Sequence, residues 1–239
     1  MFTLSTPSDE RSYHHGDLRR ALISSALQIL SEGGVARLSL RAAARRAKVS
    51  AMAPYRHFAD KEALLAAVAE YGFRQLTARF TAAAAEAPEP RAALTALGVA
   101  YVVFARDEPS LFKLMFGPTI ETKSAHPALD EAGCACFDAL RNAVEAAGFV
   151  DGENALNDVS LACWSLVHGV ASLIVDGRLA DKVAASAETI ATRMTRLLSD
   201  SLAALDGKKA AEHPNLQQHA LHRRRRGKLA NSLPINDDG

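Results

Sequence analysis

Apolar residues in this chain recur at spacings of three and four, and nowhere do several alternate strictly with polar ones between turn signals. That period is the α-helix's, so an all-α protein is expected. Leu18, Leu22, Ile23, Ala26, Leu27 and Leu30 trace one face of a first helix, with Asp17 placed to cap it and Gly33-Gly34 to stop it. Ser39 is the expected N-cap of a short second helix through Ala47, although Ala42 stands where a capping box would carry Glu or Gln. Lys48-Val49 makes a turn. Ser50 is then expected to cap a third, very short helix ending near His57-Phe58, and Asp60 to cap a long fourth helix reaching about residue 85. Pro88 and Pro90 end that helix and mark a hinge between a head and a body.

In the body, helices are expected at residues 91–106, 127–147, 153–175 and 180–204, with a short apolar piece at 111–116. Gly117-Pro118, Gly148 and Asp176-Gly177 punctuate them. The length of 239 residues, 49% of them hydrophobic, suits one or two globular domains and excludes wholesale disorder, collagen-like repeats and a disulfide scaffold. Three cysteines, an odd number, point to a reducing compartment. The opening MFTLSTPSDERSYHHG carries acids where a signal peptide needs a basic start and an apolar run, so a cytoplasmic protein is expected. The longest uncharged stretch, residues 159–175, is interrupted by Ser160, Ser165, His168 and Ser172; it falls short of a membrane span and reads as a buried helix. The tail from Gly207 holds Pro214, Pro234 and four consecutive arginines at 223–226 with little apolar content, and is expected to be disordered, either solvated or adding nonspecific affinity for DNA.

A net charge of +1 argues against a nucleic-acid partner until it is resolved along the chain. From Glu10 to Lys61 there are ten Lys and Arg against four acids, a net of +6. From Glu62 to Asp206 there are 11 against 19, a net of −8, and from Gly207 onward seven against three, a net of +4. A cationic head on an acidic body favours a polyanion for the head and another task for the body, although chance variation over a solvated surface produces such runs too.

Two short helices joined by a tight turn, followed by basic residues, have the layout of a helix-turn-helix. Its first helix must cross the phosphate backbone while the second brings its N-terminal residues to base edges, where the small or apolar Ala51, Met52 and Ala53 permit close approach and contact with thymine methyls. Lys61 falls in the first turn of the fourth helix, where the positive end of the helix dipole disfavours a cation. A bound phosphate would reverse that penalty; an exposed lysine tolerating a few tenths of a kcal/mol is the plainer alternative.

The string from Val49 to Leu65, with its valine-serine pair, Tyr55-x-His57-Phe58 and Lys61-Glu62-x-Leu64-Leu65, closely resembles the DNA-binding head of TetR-family transcriptional regulators. Tyr13-His14-His15-Gly16-Asp17-Leu18-Arg19 and Ser39-Leu40-Arg41 resemble the start of that head. The resemblance implies an all-helical homodimer whose heads dock the halves of a palindromic operator in double-stranded DNA and whose body binds a small effector. It places Arg41, Ala51, Met52 and Ala53 at the groove, and Ser39, Ser50, Tyr55, His57 and Lys61 at phosphates. Arg41 has the planar fork that fits a guanine edge. It divides the chain into an arm at residues 1–15, a DNA-binding domain at 16–76, an effector-binding and dimerisation domain at 77–206, and a basic tail at 207–239. Two positions depart from the family pattern: Lys48 stands where glycine is common in the turn, and Pro54 replaces a usual leucine.

Bulky side chains of the body concentrate in Phe104, Phe112, Met115, Phe116, Phe137 and Trp164, and His168 shares a helix face with Trp164 at i, i+4. These seven are either ordinary core or the lining of a mostly apolar effector pocket. Trp164-x-x-x-His168-Gly169 also resembles a mark of one branch of the TetR family. Apolar stripes on the last two helices, including Leu161, Leu166, Val170, Leu173 and Ile174 on one and Ile190, Met194, Leu197, Leu198 and Leu202 on the other, suit a four-helix interface between two subunits. Cys134-x-Cys136 with His126 nearby lacks the spacing of a zinc site, and no phosphate loop, nucleophile elbow or His-Glu-x-x-His is present. No cofactor, metal, membrane or enzymatic role is expected. The expected function is a ligand-responsive transcriptional repressor; its rival is an effector-binding or scaffold protein without specific DNA binding.

Overall fold

The computed structural model describes residues 15–120, 125–149, 152–179 and 182–212. Among these the chain forms α1 (His15–Arg37), α2 (Leu40–Arg46), a 3-10 turn (Ala53–Arg56), α3 (Lys61–Glu86), α4 (Pro90–Asp107), α5 (Pro109–Phe116), α6 (Pro127–Ala147), α7 (Glu153–Val175) and α8 (Ala187–Glu212), with no strand. The fold is all-α: a helix-turn-helix head at the N-terminal end and a larger helical body.

Local chemistry sets most boundaries. The Ser39 hydroxyl accepts the Ala42 N–H at 3.1 Å and starts α2, and an Asp60 carboxylate oxygen accepts the Ala63 N–H at 2.8 Å and starts α3. Gly34 takes φ 68°, ψ −176°, leaving helical geometry where the Gly33-Gly34 pair marks a stop. Three expected boundaries move. Helix α1 already begins at His15, so Asp17 lies within it rather than capping it. Helix α8 starts at Ala187 instead of near residue 180, because the Ser186 hydroxyl accepts the Thr189 N–H at 3.2 Å and supplies the cap there. It then continues to Glu212, so residues 207–212 of the expected tail are helical: a lone Gly207 costs about 1 kcal/mol, and its neighbours are good helix formers. The rest of that tail and the arm up to residue 14 lie outside the described residues.

The third expected helix is a 3-10 turn. Pro54 has no N–H to continue an α-ladder, and its carbonyl accepts the N–H groups of both His57 and Phe58 at 2.9 Å. Ser50 contributes its backbone carbonyl to the preceding turn, accepting the Ala53 N–H at 3.0 Å, and no side chain caps the 3-10 turn.

One apolar core runs from head to body. Leu22 and Leu30 of α1, Ala43 of α2, Phe58, and Leu64 and Val68 of α3 join Val102 and Phe104 of α4 and Leu114 and Met115 of α5. Helix α3 crosses from head to body unbroken, and α5 packs on both α1 and α3. Glu70 adds a polar tie, meeting Arg19 of α1 at 3.5 Å and Arg74 at 2.9 Å. A smaller cluster of Leu94, Val144, Ala147, Phe149, Leu156 and Cys163 closes the far end.

Helix α7 is buried on one face only. Leu156, Ser160, Cys163, Val167 and Ala171 face inward, whereas Leu161 and Leu173 are exposed. Long and apolar enough by composition to cross a membrane, it packs its inner face on α4, α6 and α8. The expectation of a buried helix therefore holds for half its circumference, because only one face meets the neighbouring helices.

Candidate nucleic-acid interface and interior cavity

Helix α2, the turn after it and the 3-10 turn form one outward surface of the head. Arg41, Ser50, Ala51, Met52, Tyr55 and Lys61 are exposed on it, Met52 at 70% and Tyr55 at 44%; Ser39, Ala53 and His57 are half-buried. An exposed methionine just before buried Pro54, and an exposed tyrosine between Pro54 and buried Phe58, present apolar groups where packing within the chain does not need them. The nine sequence-predicted residues lie on α2 and its cap, the turn after it, the 3-10 turn and the first residue of α3, with Ser39 already engaged as the α2 cap.

The cations around this surface differ in their engagement. Arg46 makes a bidentate pair with Glu32, Nη1 to Oε1 at 2.6 Å and Nη2 to Oε2 at 2.5 Å. That hydrogen bond to Arg46 holds the Glu32 carboxyl below its ordinary range. Arg41 has no ion-pair partner among the described residues. Lys61 donates from Nζ to the Val35 carbonyl at 3.1 Å, so its ammonium sits at the C-terminal end of α1, where a cation is favoured. This contact supplies a local reason for a lysine in the first turn of α3. Lys48 adopts φ 57°, so the turn keeps the left-handed conformation that glycine serves in the family pattern and strains a lysine to do it.

In the body, α3, α4, α6, α7 and α8 enclose a cavity of about 440 Å³, with Phe116 at the end of α5 reaching its wall. This lies within the size range of small-molecule sites, about 300–1,000 Å³. The walls are mostly aromatic and aliphatic. Tyr101 brings the principal interior polar group: its hydroxyl lies 2.8 Å from Nδ1 of His168 and accepts Nε1–H of Trp164 at 3.4 Å. Burial holds the His168 pKa below its ordinary 6.5, which favours the neutral ring, with one nitrogen a donor and the other an acceptor. Burial also pushes the Tyr101 phenol up, and the thiols of Cys136 and Cys163 up to about 11.

Of the seven residues expected at a pocket, Phe116, Phe137 and Trp164 line the cavity. His168 stands behind Tyr101 and fixes its hydroxyl. Phe104, Phe112 and Met115 are buried core and do not line it. Phe104 packs beneath the Arg79 guanidinium at 5.2 Å, Phe112 packs against the rings of Tyr101 and His168, and Met115 lies against Gly72. The lining residues that sequence reasoning missed include Leu94, Leu97, Gly98 and Tyr101 of α4. Their three-and-four spacing marks one face, and a glycine in that face signals a close approach.

Residues 22–68 match the family described as bacterial regulatory proteins of the tetR type, and residues 94–198 match the tetracyclin repressor-like C-terminal domain. No curated protein matches the chain. Among solved structures, a protein of unknown function from Rhodococcus sp. RHA1 is 38% identical, with 80% of this chain and 98% of that one covered and a TM-score of 0.69. The TetR-family transcriptional regulator PfmR from Thermus thermophilus is 20% identical, covering 75% of this chain and 97% of its own, with a TM-score of 0.53. The transcriptional regulator FadR from Bacillus subtilis, solved in complex with stearoyl-CoA, shares the fold at 12% identity, the same two coverages and a TM-score of 0.61. With both halves matched, over an exposed helix-turn-helix surface and a helical body, the chain belongs to the TetR family and is a DNA-binding transcriptional regulator.

Proposed function

We propose that this regulator is a repressor, a cytoplasmic homodimer that holds a palindromic operator in double-stranded DNA and is released from it by a small, partly apolar effector bound in the body. Arg41, Ala51, Met52 and Ala53 enter the major groove, and Ser39, Ser50, Tyr55, His57 and Lys61 hold phosphates. The head comprises residues 16–76, flanked by an arm at 1–15; the effector-binding and dimerisation domain comprises 77–206, followed by a basic tail at 207–239.

The observation that carries this reading is the continuity between cavity and head. Phe116 lies at the cavity wall, and the helix it ends, α5, packs directly on α1 and α3. An effector that displaces Phe116 shifts α5 against the head helices. The head spacing that then results cannot meet successive major-groove half-sites, which costs operator affinity. FadR carries stearoyl-CoA; for this chain an apolar effector is proposed on its own cavity walls.

Selection of bound DNA from a random pool tests the reading directly. A recovered palindrome with half-sites about one helical turn apart is the expected result. Arg41→Ala is expected to relax base preference at one position of each half-site, whereas Tyr55→Ala weakens binding to all sequences alike. Uniform low-affinity binding with no recovered motif would favour a scaffold or effector-binding protein instead.

A further inference from the structure

The charged groups that line the cavity are of one sign. Asp130 and Asp138 lie on α6, eight residues apart with Cys134 midway, so all three fall along one side of that helix, and all three are exposed to solvent as well as lining the cavity. No lysine, arginine or histidine lines the cavity among the described residues, and neither aspartate pairs with a described cation. Asp130 also suits the N-terminal turn of its helix; Asp138, in mid-helix, has no such local reason.

Behind the aspartates the walls present six aromatic rings, those of Phe73, Phe80, Tyr101, Phe116, Phe137 and Trp164. Phe137 meets Trp164 edge-on at 5.9 Å, and Phe116 is tilted against the same indole at 6.3 Å. Ring faces are electron-rich and attract cations. Most interior hydrogen-bond donors are meanwhile committed: the Trp164 N–H to Tyr101, the Tyr101 hydroxyl in its bond with His168, the Thr95 hydroxyl to the Arg91 carbonyl and the Thr195 hydroxyl to the Ala191 carbonyl, 2.8 Å away, which leaves the Ser199 hydroxyl on the α8 wall. A carboxylate or phosphate entering this cavity would lose its water, find few free donors and face two carboxylates among the lining groups.

We infer that the cavity takes a lipophilic cation, an amine or quaternary ammonium whose apolar body lies among the rings and whose charge sits toward Asp130 and Asp138. This inference rests on the cavity being the effector site and narrows the chemistry of what fills it.

Trp164 is the sole tryptophan of the chain and lines the cavity, so intrinsic fluorescence reports occupancy. Decyltrimethylammonium, decanol and decanoate, each below its micellar concentration, share an alkyl body and differ in charge. Titrated into the full-length protein without DNA, the cation is expected to bind about ten-fold more tightly than the alcohol, and the carboxylate most weakly. The double variant Asp130→Asn/Asp138→Asn, at exposed positions, should erase the cation's advantage and leave decanol binding unchanged. Decanoate binding as tightly as the cation, an undiminished preference in the double variant, or no binding by any of the three overturns the inference. Release of the selected operator is measured separately. An anion that binds and releases DNA refutes the cation and spares the repressor, and a cation that binds without releasing DNA does the opposite.

Discussion

Lys48 carries its strain at a single residue, and a single substitution measures it. At φ 57° a side chain crowds its own backbone by about 1–2 kcal/mol, part of which a glycine returns as greater unfolded-state entropy. Lys48→Gly should therefore raise stability by about 0.5–1 kcal/mol, read as a higher urea midpoint at unchanged slope, while Lys48→Ala leaves the midpoint where it was. His168 is the other residue with a measurable signature. Its folded pKa lies below the ordinary 6.5, so as pH falls past about 6.5 the unfolded chain takes up a proton that the folded protein resists. Its contribution is whole above that value and is lost as pH descends toward the folded pKa. Thermal melts between pH 7.5 and 5.5 should show a decline in midpoint that His168→Gln makes shallower; an equal decline in both proteins would mean that burial does not hold the ring neutral.

At the level of elements, helices with unambiguous punctuation were legible in their approximate spans. Pro127 and Gly148 bracket α6, and the span of α7 is likewise as the sequence reads. The start of α8 was not, because alanines at 184, 185 and 187 continue a helical pattern in either direction and only the Ser186 hydroxyl chooses among them. The recognition element was legible as a position but not as a conformation, since Pro54 shifts four residues from α to 3-10 without altering the motif. The cavity was half legible for a related reason. Phe104, Phe112 and Phe116 all read as bulky apolar residues, and only packing decides that the first two fill the core while the third borders a void. Gly98 shows how closely α4 and α8 define that void: a Cβ there would lie 2.3 Å from Cγ2 of Thr195 and 3.2 Å from Cγ1 of Val167, both on β-branched side chains with little freedom to yield. Gly98→Ala should push α8 away from α4, lowering stability by about 1–3 kcal/mol in chemical denaturation and weakening decyltrimethylammonium binding at the wall that both helices share. Unchanged values in both measurements would show that the two helices slide past each other without resistance.

For the whole molecule, the net charge of +1 conceals the division that matters, a +6 head carried on a −8 body. The acidic body repels DNA and leaves the head as the face that meets it, so operator affinity should fall steeply with salt. One head spans one half-site, and bridging two requires a second subunit. The outer face of α7 and α8 has the means: Leu161 is 53% exposed, Leu197 63% and Leu173 45%, a run of large apolar groups that a lone chain leaves in water. We place the dimer contact there, where two helices from each subunit form a four-helix bundle. Leu161→Glu/Leu197→Glu adds four charges across a two-fold contact while leaving the inward Cys163, Val167 and Ala171 untouched. The wild-type protein should sediment at twice 25.5 kDa at micromolar concentration, and the double variant as a folded monomer with an unchanged helical circular dichroism spectrum. Its affinity for a full palindrome should fall by about 10²–10⁴-fold, while its affinity for an isolated half-site stays the same, because only the tethering of the second head is lost. A double variant that remains dimeric would move the interface elsewhere on the body, and a wild-type protein that sediments only at 25.5 kDa would remove the dimer, and with it the reason for a palindromic operator.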